Sequence, residues 1–383
     1  MTPLLTRIDQ ELSTCTDPLR RAELLADRAC YLARTGDFEG ANAIASSLRR
    51  DYGDGRNARI SVWIMLVEGL VLFFEALSSS ARDRIFRANV LSKAMQLPRL
   101  AALTGVWLAH IEFDRSAYDS MARALSDSIK SADGHCHDVQ SRAGLVLGDA
   151  YLYLGDRDLS QVWYEHARRH ATEIGDRAAI GALMYNRAAF GLASIRIGHH
   201  VHNQIADEQY LKFIEMELES AWSFQVGTRV TSLAHLIDLC RARIAIVQRR
   251  FVAAVNILER LHMDLHRWED RPNRPSVLVD LVWCLLMVGR RDDAIGLHAE
   301  LASYNYKLLD IDDQVVFMST LMKINEFLSL TDSLDANRAD LAVIKTSYLE
   351  ETVRLRDALG RIGLEAHAVG QNTLKGDRLD PRA

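Results

Sequence analysis

The chain has 383 residues, of which 49% are hydrophobic and 25% are charged, as in ordinary globular proteins. Its net charge of -5 provides no basic surface for nucleic acid, so we expect no direct nucleic-acid partner. With 6 prolines, 21 glycines and long segments rich in Ala, Leu, Arg and Glu, the composition argues against a disordered chain or a turn-rich β protein and favours helices.

The cysteines and the first residues indicate the cellular compartment. The five cysteines are scattered and form no CxxC pair, which is typical of small buried residues in a reducing compartment. The N-terminal stretch "MTPLLTRIDQELSTCTD" carries charges where a signal peptide would be apolar. We therefore expect a cytoplasmic protein.

The first predicted hairpin is "LADRACYLARTGDFEGANAIASSL", in which Gly36 and Asp37 separate two helical segments. The next helix, residues 60–77, is apolar enough to resemble a membrane span. Glu68 and Glu75 interrupt it, and each would be costly in lipid. We therefore interpret this segment as a helix buried by its neighbours and expect no association with a membrane.

The clearest hairpin is "LGDAYLYLGDRDLSQVWYEHARRH", Leu147 to His170. Gly155 can adopt the left-handed conformation that ends a helix, and Asp156 can accept N–H bonds at the start of the next one. Gly148 and Ala167 are small residues where the two helices must approach closely. We therefore predict one helix on each side of the Gly-Asp turn.

Copies of this hairpin recur at a nearly constant spacing. Equivalent positions early in the second helices, Ala41, Ala81, Met121 and Ser160, are separated by 40, 40 and 39 residues. Ala254 and Ala294, later in the chain, are again 40 residues apart, and Gly289 occupies the turn before Ala294. A fixed period in this range is the signature of a helical solenoid.

The hairpin residues resemble the tetratricopeptide repeat (TPR). The pattern of that family is matched by Leu147, Gly148, Tyr151, Gly155, Tyr164 and Ala167. The likeness covers roughly residues 20–305, although the family period is about 34 residues and the period here is about 40. The longer form is similar to helical sensor regions of bacterial regulators, such as LuxR-type activators of the maltose-regulator kind and some diguanylate cyclases.

This resemblance implies an all-α fold, a right-handed α-solenoid of about seven to eight TPR-like helix pairs. We predict that the solenoid covers residues 1–310 and that a capping helix pair covers residues 311–360. Residues 361–383 are polar, so we expect a flexible tail there.

In TPR folds the first helices of the pairs line a concave surface. Carried over by register, this implies a largely apolar wall, to which the register also assigns Val106, His110, Arg142, Leu145 and Asp149. Two interpretations stay open: the wall forms a groove for a helix or peptide, or its side chains pack against one another or against the chain's own last helix. The candidate partner-binding residues are Trp63, Leu66, Leu70, Phe73, Phe74, Phe113, Leu152, Tyr153, Tyr185 and Arg196.

Signs of catalysis and metal binding are weak in this sequence. It contains no nucleophile elbow, phosphate loop, dinucleotide fingerprint or HExxH motif, so we predict a protein that is not an enzyme and needs no cofactor. His199, His200 and His202 form a cluster without a fourth ligand nearby, as do His135, Cys136 and His137. We interpret both clusters as polar turns between helices.

The sequence therefore predicts a regulatory adaptor or scaffold of a bacterial cytoplasm, which binds a protein or peptide partner in its groove. The alternative is a ligand-sensing input module of a bacterial signalling or transcription regulator whose output domain is absent or separate. Neither a GG(D/E)EF signature nor a helix-turn-helix pattern accompanies the repeats, so the resemblance to those regulators is limited to the sensor region.

Overall fold

The structure is a computed structural model that describes residues 2–76, 78–132, 135–228, 234–265, 274–301, 304–330 and 334–376. Within these ranges the chain forms 17 α-helices, one short 3₁₀ helix and no strand. The all-α prediction is therefore confirmed.

The helices follow one another with short connections. The first nine are α1 (Pro3–Thr14), α2 (Pro18–Thr35), α3 (Phe38–Tyr52), α4 (Ala58–Ala76), α5 (Ser79–Ala94), α6 (Pro98–Asp114), α7 (Tyr118–Ser131), α8 (His137–Tyr153) and α9 (Arg157–Glu173). The others are α10 (Arg177–His202), α11 (Glu208–Thr228), α12 (Ala234–Val247), α13 (Phe251–Leu265), α14 (Arg274–Met287), α15 (Arg291–Leu301), the 3₁₀ helix (Tyr306–Leu308), α16 (Ile311–Leu328) and α17 (Leu334–Gly376).

The chain divides into two compact units. Unit 1 comprises Met1–Leu183, Phe224–Ser232 and Arg354–Ala383, and unit 2 comprises Met184–Ser223 and Leu233–Val353. The domain boundaries expected near residues 310 and 360 stay predictions. The last helix nevertheless continues to Gly376, beyond the predicted end at residue 360, since the segment before Pro381 contains good helix formers and no proline.

Neighbouring helices pack as successive pairs. In unit 1, α2 packs with α3, α4 with α5, α6 with α7 and α8 with α9, and the first helices of neighbouring pairs also meet, α2 with α4 and α6 with α8. In unit 2, α12 pairs with α13 and α14 with α15, and α14 contacts both α12 and α16. The predicted hairpins around residues 36, 155 and 289 are therefore confirmed as helix pairs.

The Gly-Asp turn works as its residue types predict. Gly155 is left-handed, with φ of 79°, and the Asp156 carboxylate accepts a hydrogen bond of 3.0 Å from the N–H of Leu159. Other turns within pairs have the same backbone without glycine: Ser116 has φ of 55° and Arg249 has φ of 58°. The repeat in the backbone is therefore more regular than the repeat in the sequence, which explains the weaker copies.

The apolar helix α4 is buried within unit 1. Ile60, Val67 and Leu70 have no exposed surface, as expected for a helix covered by its neighbours. Among the described helices, α4 included, none combines the length and the hydropathy needed to cross a membrane.

Glycines mark where the two helices of a pair touch. A Cβ atom on Gly148 of α8 would lie 2.8 Å from Cδ1 of Tyr164 in α9, closer than packed carbon atoms approach. The Tyr164 ring has little freedom to move aside, because its hydroxyl donates a 2.7 Å hydrogen bond to Asp149. Gly69 and Gly105 are placed similarly against α5 and α7. The close approach predicted for Gly148 is confirmed.

The substitution Gly148→Ala tests this constraint. We expect the variant to lose about 1–3 kcal/mol of stability, because the added methyl group displaces the Tyr164 ring. Gly360→Ala is the matched control in the same unit, since no atom lies within 4 Å of its Cβ position. The control should keep or gain stability, because alanine favours helix. Thermal unfolding followed by circular dichroism compares the two, and equal melting temperatures would contradict the close-packing argument.

Candidate functional site

Three first helices of unit 1 bring aromatic and basic side chains together. Phe73 and Phe74 lie near the end of α4, Trp107 and His110 lie on one face of α6, and Arg142 lies on α8. Residues three apart share a helix face, which aligns the indole and imidazole rings of α6. We call these five residues the aromatic–arginine cluster.

The rings of the cluster pack mostly edge to face. Ring centroids are 5.1 Å apart for Phe73 and Phe74, 5.6 Å for Phe73 and His110, and 5.9 Å for Phe74 and Trp107. The rings of Trp107 and His110 are nearly parallel, 4° apart in orientation with centroids separated by 6.0 Å. Edge-to-face pairs at these distances are favourable. Phe73, Phe74 and His110 keep part of their surface exposed, whereas Trp107 is buried.

Arg142 is the charged centre of the cluster. Its guanidinium carbon lies 3.8 Å from the centroid of the Trp107 ring, and Nη1 lies 3.2 Å from Nδ1 of His110. The residue is only 5% exposed. Among the described residues, no carboxylate oxygen lies within 4.0 Å of this guanidinium. The nearby acids have other partners: Asp149 accepts from Tyr164, and Asp176 pairs with Arg34. A third acid, Asp114, lies 3.7 Å from Nε2 of His110.

The electrostatics of the cluster fix the protonation of its histidine. Burial, together with the charge of Arg142, lowers the pKa of His110 to about 3. A neutral imidazole can accept the hydrogen bond from Nη1 through Nδ1, which an imidazolium could not do. Burial also lowers the pKa of Arg142 to about 9, with a smaller contribution from Arg34, so Arg142 is still cationic at neutral pH. The cluster therefore holds a buried positive charge against a neutral acceptor and an aromatic face.

The structure places the predicted wall residues of unit 1 in two groups. Phe73, Phe74 and Tyr153 are half-buried, and the Tyr153 ring meets that of Phe113 edge to face, with centroids 6.4 Å apart. The others contribute to the interior of the unit, as the second of the two interpretations expects. These buried residues are Trp63, Leu66, Leu70, Phe113 and Leu152.

The remaining two predicted residues, Tyr185 and Arg196, belong to unit 2. Arg196 donates from Nη2 to both carboxylate oxygens of Asp280, at 2.7 and 2.9 Å. Arg243 lies 3.6 Å from the same carboxylate and 3.4 Å from that of Asp313. Burial raises the pKa of the Tyr185 hydroxyl well above its usual value. The charge of Arg196 is thus neutralised within unit 2, which indicates a structural role.

The sequence register missed one member of the cluster. It assigned Val106 and His110 of α6 to the wall, but Trp107 is the side chain that stacks with His110 and Arg142. The signal was available, since Trp107 and His110 are separated by three residues. The sequence could not predict that Arg142 has no carboxylate beside it, because the neighbours of Arg142 depend on which helices pack together.

Histidines also meet outside the cluster. His199, His200 and His202 were expected in a turn between helices, but they lie in the last turn of α10. The rings of His199 and His200 are 5.1 Å apart, and burial and Lys323 lower the pKa of His200 to about 2. In unit 1, Nδ1 of His137 lies 2.8 Å from Nδ1 of His170. In the part of the chain that the structure describes, no group of three or more His, Cys, Asp or Glu side chains is arranged to hold a metal ion.

Comparison with known proteins assigns no family to this arrangement. No protein-family model matches the chain, and no curated protein matches it significantly.

The neutral state of His110 predicts a pH dependence of stability. Its pKa is about 3 in the folded chain, against 6.5 for an unperturbed histidine, so between these values the unfolded state binds the extra proton. Stability is fully present above the unfolded pKa and falls as the pH drops below about 6.5, by at most about 1.4 kcal/mol per pH unit for this group.

His110→Asn isolates this effect, because it keeps a side-chain acceptor and removes the titration. Urea unfolding of both proteins at pH values from about 8 to 5 should give a constant difference above pH 7 and a relative loss for the parent below it. Parallel pH profiles would show that His110 titrates as an exposed histidine does.

Proposed function

We propose that this chain is a non-enzymatic regulatory adaptor that binds a helix or peptide of a partner protein through the aromatic–arginine cluster and the neighbouring Tyr153. The observation that carries the proposal is the half-buried state of Phe73 and Phe74 beside the Trp107–Arg142 stack. An interior aromatic is closed off, as Phe317 is at 1% exposure. Aromatic and arginine side chains that converge with part of their surface free are typical of interface anchors.

The arrangement of helices supports the TPR-like part of the proposal. Helix pairs follow one another within each unit, and the cluster is built from the first helices of three successive pairs. First helices supply the binding surface in the repeat family that the sequence resembles. We propose a right-handed solenoid of such pairs as the scaffold that presents the cluster.

A ligand-sensing input module is the second candidate function, and one observation favours it. Unit 1 contains a cavity of about 750 Å³ between α1, α2, α4 and the start of α6, within the size range of small-molecule sites. Trp63, Asp27 and Arg99 line it, and burial raises the pKa of Asp27 to about 6. Stabilisation of the purified chain by a small metabolite, lost on substitution of Asp27, would favour this function over the adaptor.

The adaptor proposal is tested by removing one anchor. A partner captured from the native cell is purified, and its dissociation constant is measured with the parent and with Phe74→Ala. We expect the affinity to fall about tenfold or more, because a truncated aromatic anchor often costs 2 kcal/mol or more. Phe86→Ala is the matched control, since Phe86 lies on α5 and is 41% exposed.

Melting temperatures of both variants separate binding from folding. We expect Phe74→Ala to melt close to the parent, because the ring is only half-buried. Equal affinities of Phe74→Ala and Phe86→Ala for the partner would place the recognition surface elsewhere. Unfolding of Phe74→Ala alone would assign the ring to the interior, where truncation costs about 3–5 kcal/mol.

A further inference from the structure

Two arginines stand out as the most deeply buried in the described part of the chain, Arg142 at 5% exposure and Arg196 at 7%. Their environments differ. The Arg196 charge is neutralised by a two-oxygen contact with Asp280, and the less buried Arg34 pairs with Asp176. The Arg142 guanidinium instead lies over the Trp107 ring and donates to the neutral His110. The most buried arginine is therefore one without a carboxylate at ion-pair distance among the described residues.

A structural role alone does not account for this arrangement. A buried charge without an opposite charge lowers stability, and an apolar side chain of similar length could cover the Trp107 ring without that cost. Three acids act on Arg142 without forming an ion pair with it. Asp149 accepts from Tyr164, Asp176 is held by Arg34, and Asp114 lies 3.7 Å from Nε2 of His110. A bound anionic group would supply the direct ion pair that Arg142 lacks.

The shape of the site defines the chemistry of that group. Arg142 uses Nη1 for His110, and its other nitrogen atoms make no hydrogen bond to the described residues. A planar guanidinium with two donors free in one plane matches a carboxylate, which accepts two parallel hydrogen bonds. The half-buried rings of Phe73 and Phe74 pack against His110 and Trp107, the two residues that contact Arg142, and favour an apolar group attached to the carboxylate.

We infer that Arg142 is the anion-recognition residue of the aromatic–arginine cluster, and that it binds a carboxylate carried beside an aromatic or aliphatic group. This carboxylate belongs to an acidic side chain of the partner segment, flanked by an apolar residue; this assignment rests on the proposed function. A free small organic acid has the same chemistry, and the probes below distinguish the two sources.

The probes are the blocked dipeptide acetyl-Phe-Glu-amide, its neutral analogue acetyl-Phe-Gln-amide, and phenylacetate. Binding is followed by the shift of the Trp107 indole N–H resonance, assigned with Trp107→Phe. We expect saturable binding of the Glu dipeptide, at least tenfold tighter than that of the Gln dipeptide. Equal affinities for the two dipeptides would overturn the inference, and this comparison needs only the parent protein.

Arg142→Met adds a test of the residue itself. Methionine can still cover the Trp107 ring but has no charge and no donor. We expect the variant to lose the preference for the Glu dipeptide over the Gln dipeptide, and to melt at the same temperature as the parent or higher, since a buried unpaired charge is removed. Arg115→Gln, at an exposed turn position, is the control for net charge and should retain the preference.

The remaining outcomes separate this inference from the proposed function. Discrimination between the dipeptides that persists in Arg142→Met would overturn the inference. Phenylacetate that binds through Arg142 at least tenfold more tightly than the Glu dipeptide would make a free acid the ligand and overturn the choice of source. A partner whose affinity depends on Phe74 but is unchanged in Arg142→Met would leave the adaptor standing without the anion site. Dipeptide discrimination without any partner that depends on Phe74 would support the anion site and contradict the adaptor function.

Discussion

The constraint on which unit 1 depends is the close approach of the two helices within each pair. At Gly148 the Tyr164 ring occupies the space that a side chain would need, and Gly105 faces Ser128 in the same manner. Such contacts fix one face of each first helix against its second helix. On α6, Trp107 and His110 lie about half a turn away from Gly105, at 100° per residue. The glycine contact on one side therefore determines which residues the helix offers on the other side.

The aromatic–arginine cluster follows from this arrangement. Since α4, α6 and α8 are each held by a second helix, their other faces can contribute rings and a guanidinium to one place. Arg142 precedes Gly144 by two residues, again about half a turn around the helix. No single helix contains the site, and each contributes one or two side chains. A loss of close packing at one pair would therefore disturb contacts with the next pair as well as the pair itself.

Local chemistry made the helices and several turns predictable from the sequence. Gly155 and Asp156 supply the left-handed turn and the cap of the next helix. The placement of Phe73 and Phe74 on a concave wall stays a prediction. Ser116 and Arg249 could not be recognised as left-handed, because neither residue type signals that conformation. The continuation of α17 to Gly376 was missed because a polar segment was interpreted as a frayed end, although its residues favour helix.

The sequence could not show which of two buried arginines, Arg142 and Arg196, forms an ion pair. Arg142 and Arg196 occupy similar wall positions in the repeat register, and both become buried. The partner of Arg196 is Asp280, which lies 84 residues further along the chain, so only the fold brings the two charges together. Arg142 meets an indole and a neutral imidazole instead. A carboxylate in place of His110 would pair with Arg142, and it would also occupy the place that the inferred external anion needs. Arg142 therefore lacks the direct ion pair that Arg196 makes, and this separates the cluster from the ion pairs that hold helices together.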